Sequence, residues 1–193
     1  MPVSRPTLIV VSGPPGTGKT TLAHAIARAV GCPAICRDEI KEGMVHATPG
    51  FTAGPDDPLT RRTFGTFFDV LGLLLAAGVT VVAEAAFQDM RWRPGLDRLA
   101  DLASVRVVHC AVDPRVARAR IARRAEGNPL RAAHDDNGLL GSPPPAAFVP
   151  ISLAVPTLRV DTTDGYDPGL AEVVAFADGG RPDAGRASGP TGS

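Results

Sequence analysis

Thr7-Leu8-Ile9-Val10-Val11-Ser12-Gly13-Pro14-Pro15-Gly16-Thr17-Gly18-Lys19-Thr20-Thr21 decides how the rest of the chain is read. An apolar, β-branched run over Thr7–Val11 predicts a strand, the glycines a turn, and Lys19-Thr20-Thr21 the opening of a helix. Gly13 to Thr20 fits G-x-x-x-x-G-K-[ST], the phosphate-binding loop. Glycines at these places let successive backbone N–H groups turn inward as an anion nest, and the following helix adds its unpaired N–H groups and dipole. Lys19 reaches toward the β/γ-phosphates of a nucleotide, and the Thr20 hydroxyl is placed to ligate Mg²⁺. An ordinary strand–helix turn would need neither side chain. Gly13, Pro14, Pro15, Gly16, Thr17, Gly18, Lys19, Thr20 and Thr21 are therefore the expected nucleotide-binding residues.

Composition narrows the function around this loop. At 193 residues with 44% hydrophobic residues, one globular domain with a sizeable core is expected. The formal charge is zero, so no global basic field gathers nucleic acid. Met1–Arg5 runs straight into the first strand without a signal-peptide pattern, and no apolar run approaches the ~20 residues of a membrane-spanning helix. A cytoplasmic protein with no membrane partner is the expectation. Cys32, Cys36 and Cys110 lie in apolar stretches and read as reduced core thiols, since Cys32-x-x-x-Cys36 lacks a second ligand pair at zinc-finger spacing.

Downstream, strands and helices alternate. The spacing predicts a helix through Leu22, Ile26, Ala29 and Val30 closed by Gly31, a short strand over Cys32–Cys36, and a helix beginning near Arg37–Lys41. Asp57-Pro58 reads as N-cap and first-turn proline of a helix burying Phe64, Phe67, Phe68, Leu71, Leu74 and Leu75. Val79–Ala83 is a third strand reaching Glu84; Pro94–Ala103 is a helix, and Val105–Val112 a fourth strand. Asp113-Pro114 opens an arginine-rich helix ending near Gly127, Leu130–Pro150 is irregular, Thr157–Val160 is a fifth strand, and Asp167-Pro168 starts the last helix. Residues 1–177 form the expected domain, and from Asp178 the chain reads as a disordered tail. This alternation calls for an α/β fold with a parallel sheet covered on both faces, whose ligands bind at the carboxyl ends of the strands.

That rule selects the remaining candidates. Asp38 follows the second strand, where a carboxylate could deprotonate an acceptor hydroxyl during phosphoryl transfer, or could cap the next helix. Glu84 ends a hydrophobic strand, where an acid can hold Mg²⁺ through water, bind substrate, or cap Ala85-Ala86. Arg115, Arg118, Arg120, Arg123 and Arg124 suit a lid that clamps phosphates, a solvated face, or a nucleic-acid surface, in that order; Arg120 and Arg123 are the leading pair. Arg91, with Trp92 and Arg93, lies where an acceptor could rest, and Trp92 is more often packing. His46 and His134 are loop residues without a catalytic pattern.

With these residues in place, the chain resembles the small P-loop kinase group that includes zeta-toxin-like, chloramphenicol-phosphotransferase-like and polynucleotide-kinase-like proteins, often labelled AAA family ATPases. The matching pieces are Gly13–Thr20, Cys36-Arg37-Asp38-Glu39-Ile40, Val81-Val82-Ala83-Glu84-Ala85-Ala86-Phe87, Val112-Asp113-Pro114, Arg120-Ile121-Ala122-Arg123 and Val160-Asp161-Thr162-Thr163. The resemblance implies a five-stranded P-loop three-layer sandwich ordered 2-3-1-4-5, Asp38 as general base, and a lid over about residues 115–150 around Arg120. It also implies ATP (or GTP) with Mg²⁺ as donor, a hydroxyl as acceptor, and Thr162 and Thr163 near the adenine. Cys36 and Lys41 replace the Ser/Thr and Arg that polynucleotide kinases of the group usually carry beside the acid, and Glu84 stands where many relatives have Asp. Mechanical AAA+ enzymes need an Asp before the Glu and a helical lid domain, whereas Ala83 precedes Glu84 and 193 residues leave little room for that domain. Three functions follow: a phosphotransferase acting on a hydroxyl of a nucleoside, sugar or antibiotic; a polynucleotide 5′-hydroxyl kinase; or a nucleotide-binding ATPase or switch without acceptor.

Overall fold

The computed structural model describes residues 5–54, 57–127 and 148–179. Its elements, in chain order, are β1 (Thr7–Ser12), α1 (Lys19–Val30), β2 (Ala34–Cys36), α2 (Arg37–His46), α3 (Pro58–Ala76), β3 (Val81–Glu84), α4 (Asp89–Ala100), β4 (Ser104–Ala111), α5 (Pro114–Gly127), β5 (Thr157–Asp161) and α6 (Leu170–Ala177). The sheet is five-stranded and wholly parallel, ordered β2-β3-β1-β4-β5, as the resemblance implied.

Alternation along each strand divides the core into two layers. Leu8, Val10, Val81, Ala83, Val105 and Val107 face α3 and α4, whose Phe67, Leu71, Leu75, Trp92, Leu96 and Leu99 cover them. Ile9, Val11, Val82, Val108 and Cys110 face the other way, against Leu22 and Ile26 of α1 and Val173 and Ala177 of α6. On the first side Phe64, Phe67, Phe68, Phe87 and Trp92 form an aromatic cluster, Phe87 and Trp92 meeting edge-on at 4.7 Å. Gly95 of α4 lets that helix sit against the Phe68 ring: a Cβ there would lie 2.2 Å from Phe68 Cζ.

Several boundaries differ from the sequence reading by a residue or more, and four of the differences have consequences. The second strand is only Ala34–Cys36. The fourth strand ends at Ala111. Helix α4 starts at Asp89, a turn before Pro94, because Trp92, Leu96 and Leu99 form the buried stripe; Leu102 is exposed beyond its end. The last helix begins at Leu170 with Gly169 as N-cap, because Asp167 is held by the strand: its N–H donates to Asp161 O at 2.9 Å and its carbonyl accepts from Asp161 N at 2.7 Å. The expected N-cap at Asp57 is present, accepting from Thr60 N at 2.8 Å. Its other oxygen takes Lys41 Nζ at 2.8 Å, so that Lys41 and Asp57 form a buried ion pair between α2 and the start of α3. Among the described residues, no helix is long and apolar enough to cross a membrane.

His134, most of the Leu130–Pro150 stretch and the expected tail beyond Gly179 lie outside the described residues.

Candidate active site

The site lies at the carboxyl end of β1, the central strand. The loop after it bends at Gly16 (φ 83°) and Gly18 (φ 71°), a left-handed conformation that side-chain-bearing residues rarely adopt. At Gly16 there is also no space: a Cβ would lie 2.7 Å from Ala117 O of α5. Thr17 folds back on the loop, its Oγ1 donating to Pro14 O at 2.8 Å. Gly18 is the N-cap of α1, with no side-chain cap and no acid in the first turn, so among the described residues no side chain caps the first N–H groups of the helix.

Glu84 ends β3, which pairs directly with β1, Val11 lying opposite Glu84. That register carries its carboxylate under the loop. The side chain is only 2% exposed; Thr20 Oγ1 donates to Oε2 at 3.1 Å, and Lys19 Nζ stands 3.7 Å from Oε1. Burial pushes this carboxyl above the ordinary glutamate range, the Lys19 charge pulls it back, and the Asp38 charge pushes it up again. A hydroxyl and a carboxylate are hard oxygen donors of the kind Mg²⁺ takes beside nucleotide phosphates, so Thr20 and Glu84 fit that ion.

Cys36 pairs with Glu84 across β2 and β3, and Asp38 lies two residues further, in the first turn of α2. The N-cap of α2 is Cys36, so Asp38 does not cap the helix. Its carboxylate is half-exposed and takes Arg37 Nη1 at 2.9 Å. Asp38 and Glu84 thus stand near enough to feel each other's charge on the side of the phosphate loop away from α5.

On the other side, Arg120 is half-buried and spans two loops. Its Nη2 donates to Thr162 O at 2.7 Å and its Nη1 to Gly16 O at 3.5 Å. Thr162 Oγ1 donates to Thr17 O at 2.8 Å, and Thr163 Oγ1 accepts from Asp113 N at 3.0 Å. Both hydroxyls are thus engaged in tying the β5–α6 loop to its neighbours. Between these loops opens a cavity of about 480 Å³, lined by Gly18, Thr21, Arg120, Arg123, Gly165 and Tyr166. Tyr166 was missed by the sequence reading; the turn Asp164-Gly165-Tyr166 after β5 was the available signal. Arg115 instead pairs with its neighbour Asp113 at 3.2 Å and, like Arg118, is exposed to solvent.

Arg91 is not gathered with the phosphate loop. It lies exposed on α4 with its guanidinium 5.7 Å from the Phe64 ring centroid. Trp92 is core, and Arg93 bonds Asp89 and the Ser152 carbonyl. His46 is exposed at the end of α2.

The model of a family described as an AAA domain matches residues 8–137. Uncharacterized proteins of Mycobacterium tuberculosis and Mycobacterium bovis are 32% identical over 133 residues, covering 63% of this chain and 26% of their own length. The chain therefore spans about a quarter of these curated relatives. Among solved structures, a provisionally named kinase from Chloroflexus aurantiacus superposes with a TM-score of 0.77 at 24% identity, covering 90% of this chain and 97% of that one. A sugar kinase from Janibacter sp. gives 0.55 at 19% identity, covering 89% and 93%. The Mycobacterium tuberculosis APS kinase CysC, in complex with AMPPNP and APS, gives 0.60 at 18% identity, covering 89% and 97%. The fold is that of the small P-loop kinases.

Proposed function

The chain belongs to the AAA domain family, and from that premise we propose that it is an ATP-dependent phosphotransferase that moves the γ-phosphate to a hydroxyl of a small molecule. The observation that carries this reading is the contact of Glu84 with both Thr20 and Lys19 beneath an uncapped helix N-terminus. Lys19 and the loop N–H groups bind the β/γ-phosphates, while Thr20 and the Glu84 carboxylate hold Mg²⁺, which neutralises phosphate charge when bound. The near-complete burial of Glu84 supports the metal side of its two expected roles over substrate contact.

Asp38 accepts the proton of the acceptor hydroxyl as its oxygen forms a bond to the γ-phosphorus. The bond from that phosphorus to the β–γ bridging oxygen breaks, and ADP leaves. Arg120 and Arg123 supply positive charge from α5, Arg120 held in place by Thr162 and Gly16 and Arg123 exposed at the mouth of the cavity. The base and ribose lie in that cavity, with Thr21, Tyr166 and the backbone of Thr162 and Thr163 around them. Arg91 borders the acceptor from α4. The neutral formal charge supports a small-molecule acceptor over a nucleic acid.

The test is incubation with ATP, Mg²⁺ and pooled nucleosides, sugars and antibiotics, followed by mass spectrometry for the gain of one phosphate. Asp38→Asn should abolish the gain while calorimetric ATP binding persists. Full turnover by that variant would remove Asp38 as base; transfer only to 5′-hydroxyl oligonucleotides would select the polynucleotide kinase, which the exposed Arg115 and Arg118 favour; hydrolysis indifferent to every acceptor would select the switch.

A further inference from the structure

His24, Cys36 and Glu39 come from three successive elements: the second turn of α1, the last residue of β2 and the first turn of α2. Their ligand atoms all lie within 4.8 Å of one another. His24 Nε2 is 2.7 Å from Glu39 Oε1 and 3.7 Å from Cys36 Sγ. In a tetrahedral zinc site, bonds of about 2.3 Å to sulfur and about 2.0 Å to nitrogen place those two atoms roughly 3.6 Å apart. The sulfur–nitrogen edge is thus already formed, and the nitrogen–oxygen edge has only to open by a fraction of an ångström.

We propose that His24, Cys36 and Glu39 form a binding site for a divalent transition-metal ion of the zinc class, beside the proposed magnesium position at Thr20 and Glu84, whose Glu84 carboxylate also faces the Cys36 thiol. A thiolate and an imidazole are soft and borderline donors, selecting zinc or cobalt against magnesium, whose preferred shell is all oxygen. Three protein ligands leave a fourth position, and His24 and Glu39, half-exposed and exposed, leave it facing solvent. Binding releases the Cys36 thiol proton to water and forms the metal–sulfur bond, with no change in oxidation state. By spacing, Cys32-x-x-x-Cys36 has no second ligand pair, and both cysteines read as core thiols. The partners of Cys36 are His24, one turn beyond Thr20 on α1, and Glu39, next to Asp38. The site does not depend on the phosphotransfer reading.

The experiment is titration of the reduced, chelator-treated full chain with cobalt(II), read by the thiolate-to-cobalt charge-transfer band in the near ultraviolet, then displacement by zinc(II). A saturable band with one equivalent is expected, removed by zinc and unmoved by excess Mg²⁺. Cys36→Ser should abolish the band and Cys32→Ser keep it. His24→Ala and Glu39→Gln should each weaken zinc binding at least about tenfold. His24 is half-exposed on a helix, so its variant keeps the reading independent of any folding defect in Cys36→Ser, and circular dichroism checks both. A band that survives Cys36→Ser, equal displacement by magnesium, zinc affinity unchanged in His24→Ala, or no saturable band at all overturns the proposal.

Discussion

Thr20 donates its hydroxyl proton to Glu84 at 3.1 Å, joining the first turn of α1 to the end of β3 across 64 residues of sequence. Glu84→Gln keeps the volume and an acceptor for Thr20 while removing the charge that faces Lys19. It should lower ATP turnover about 10–100-fold, as loss of a group supporting a metal commonly does, with nucleotide binding changed far less. Phosphate release and calorimetry separate the two. Because burial raises the Glu84 carboxyl in the ion-free protein, Mg²⁺ binding must displace its proton and should weaken as pH falls, a dependence that should vanish in Glu84→Gln.

Gly16→Ala should abolish nucleotide binding. The left-handed φ and the Ala117 carbonyl 2.7 Å from the added Cβ act together, so the loop or α5 must shift. A destabilisation of about 1–3 kcal/mol is expected in chemical denaturation. Gly43→Ala, where nothing lies within 4 Å of an added Cβ, is the control and should leave binding intact.

Arg120 and Arg123 should differ in kind. Arg120→Met removes the hydrogen bonds to Thr162 O and Gly16 O, and should lower both the melting temperature and nucleotide affinity. Arg123→Met, at an exposed position, should leave the melting temperature within about 2 °C, since such surface changes stay near ±0.5 kcal/mol, and lower turnover alone. Thermal melts with and without ATP, alongside turnover, check the distinction.

Asp57 supports a stability prediction far from the phosphates. Burial alone would raise its carboxyl, but the Lys41 ammonium and the Thr60 N–H and hydroxyl outweigh it and hold the group at about 2. The folded value lies below the ordinary 3.8, so the stabilisation is complete above about pH 4 and is lost as pH falls toward 2. Lys41→Met leaves the buried carboxylate without its cation and should cost about 3 kcal/mol at neutral pH. Asp57→Asn in that background should recover part of the loss, measured by urea denaturation.

Gly95→Ala should destabilise by about 1–3 kcal/mol, since the methyl group meets the Phe68 ring where α4 packs on α3. Combining it with Phe68→Leu should recover stability relative to the sum of the two single changes.

What could be read from the sequence was what is local. The phosphate loop is a contiguous pattern, and the order of strands and helices followed from periodicity and caps such as Asp57-Pro58. The placement of Glu84 followed from its position at a strand end. The Lys41–Asp57 pair carries no local pattern, and the turn that holds Tyr166 gains its meaning only from α5, which folding brings beside it. The start of α4 was misjudged because Pro94 looks like a first-turn residue, while Trp92, two residues earlier, already lies on the buried face. Asp167-Pro168 looked like a helix start because its pairing with Asp161 is tertiary.

The central position of β1 bears on how the chain gains its grip on a nucleotide during synthesis. Leu8 finds its partners Val81 on one side and Val105 on the other, both far downstream. Such distant pairings are slow to form, because a long stretch of chain must be closed before they return any stability. The signature loop is synthesised before β3 and β4, and it has no walls until both have been made. A nascent chain halted inside α3 therefore carries the complete motif and should hold no triphosphate.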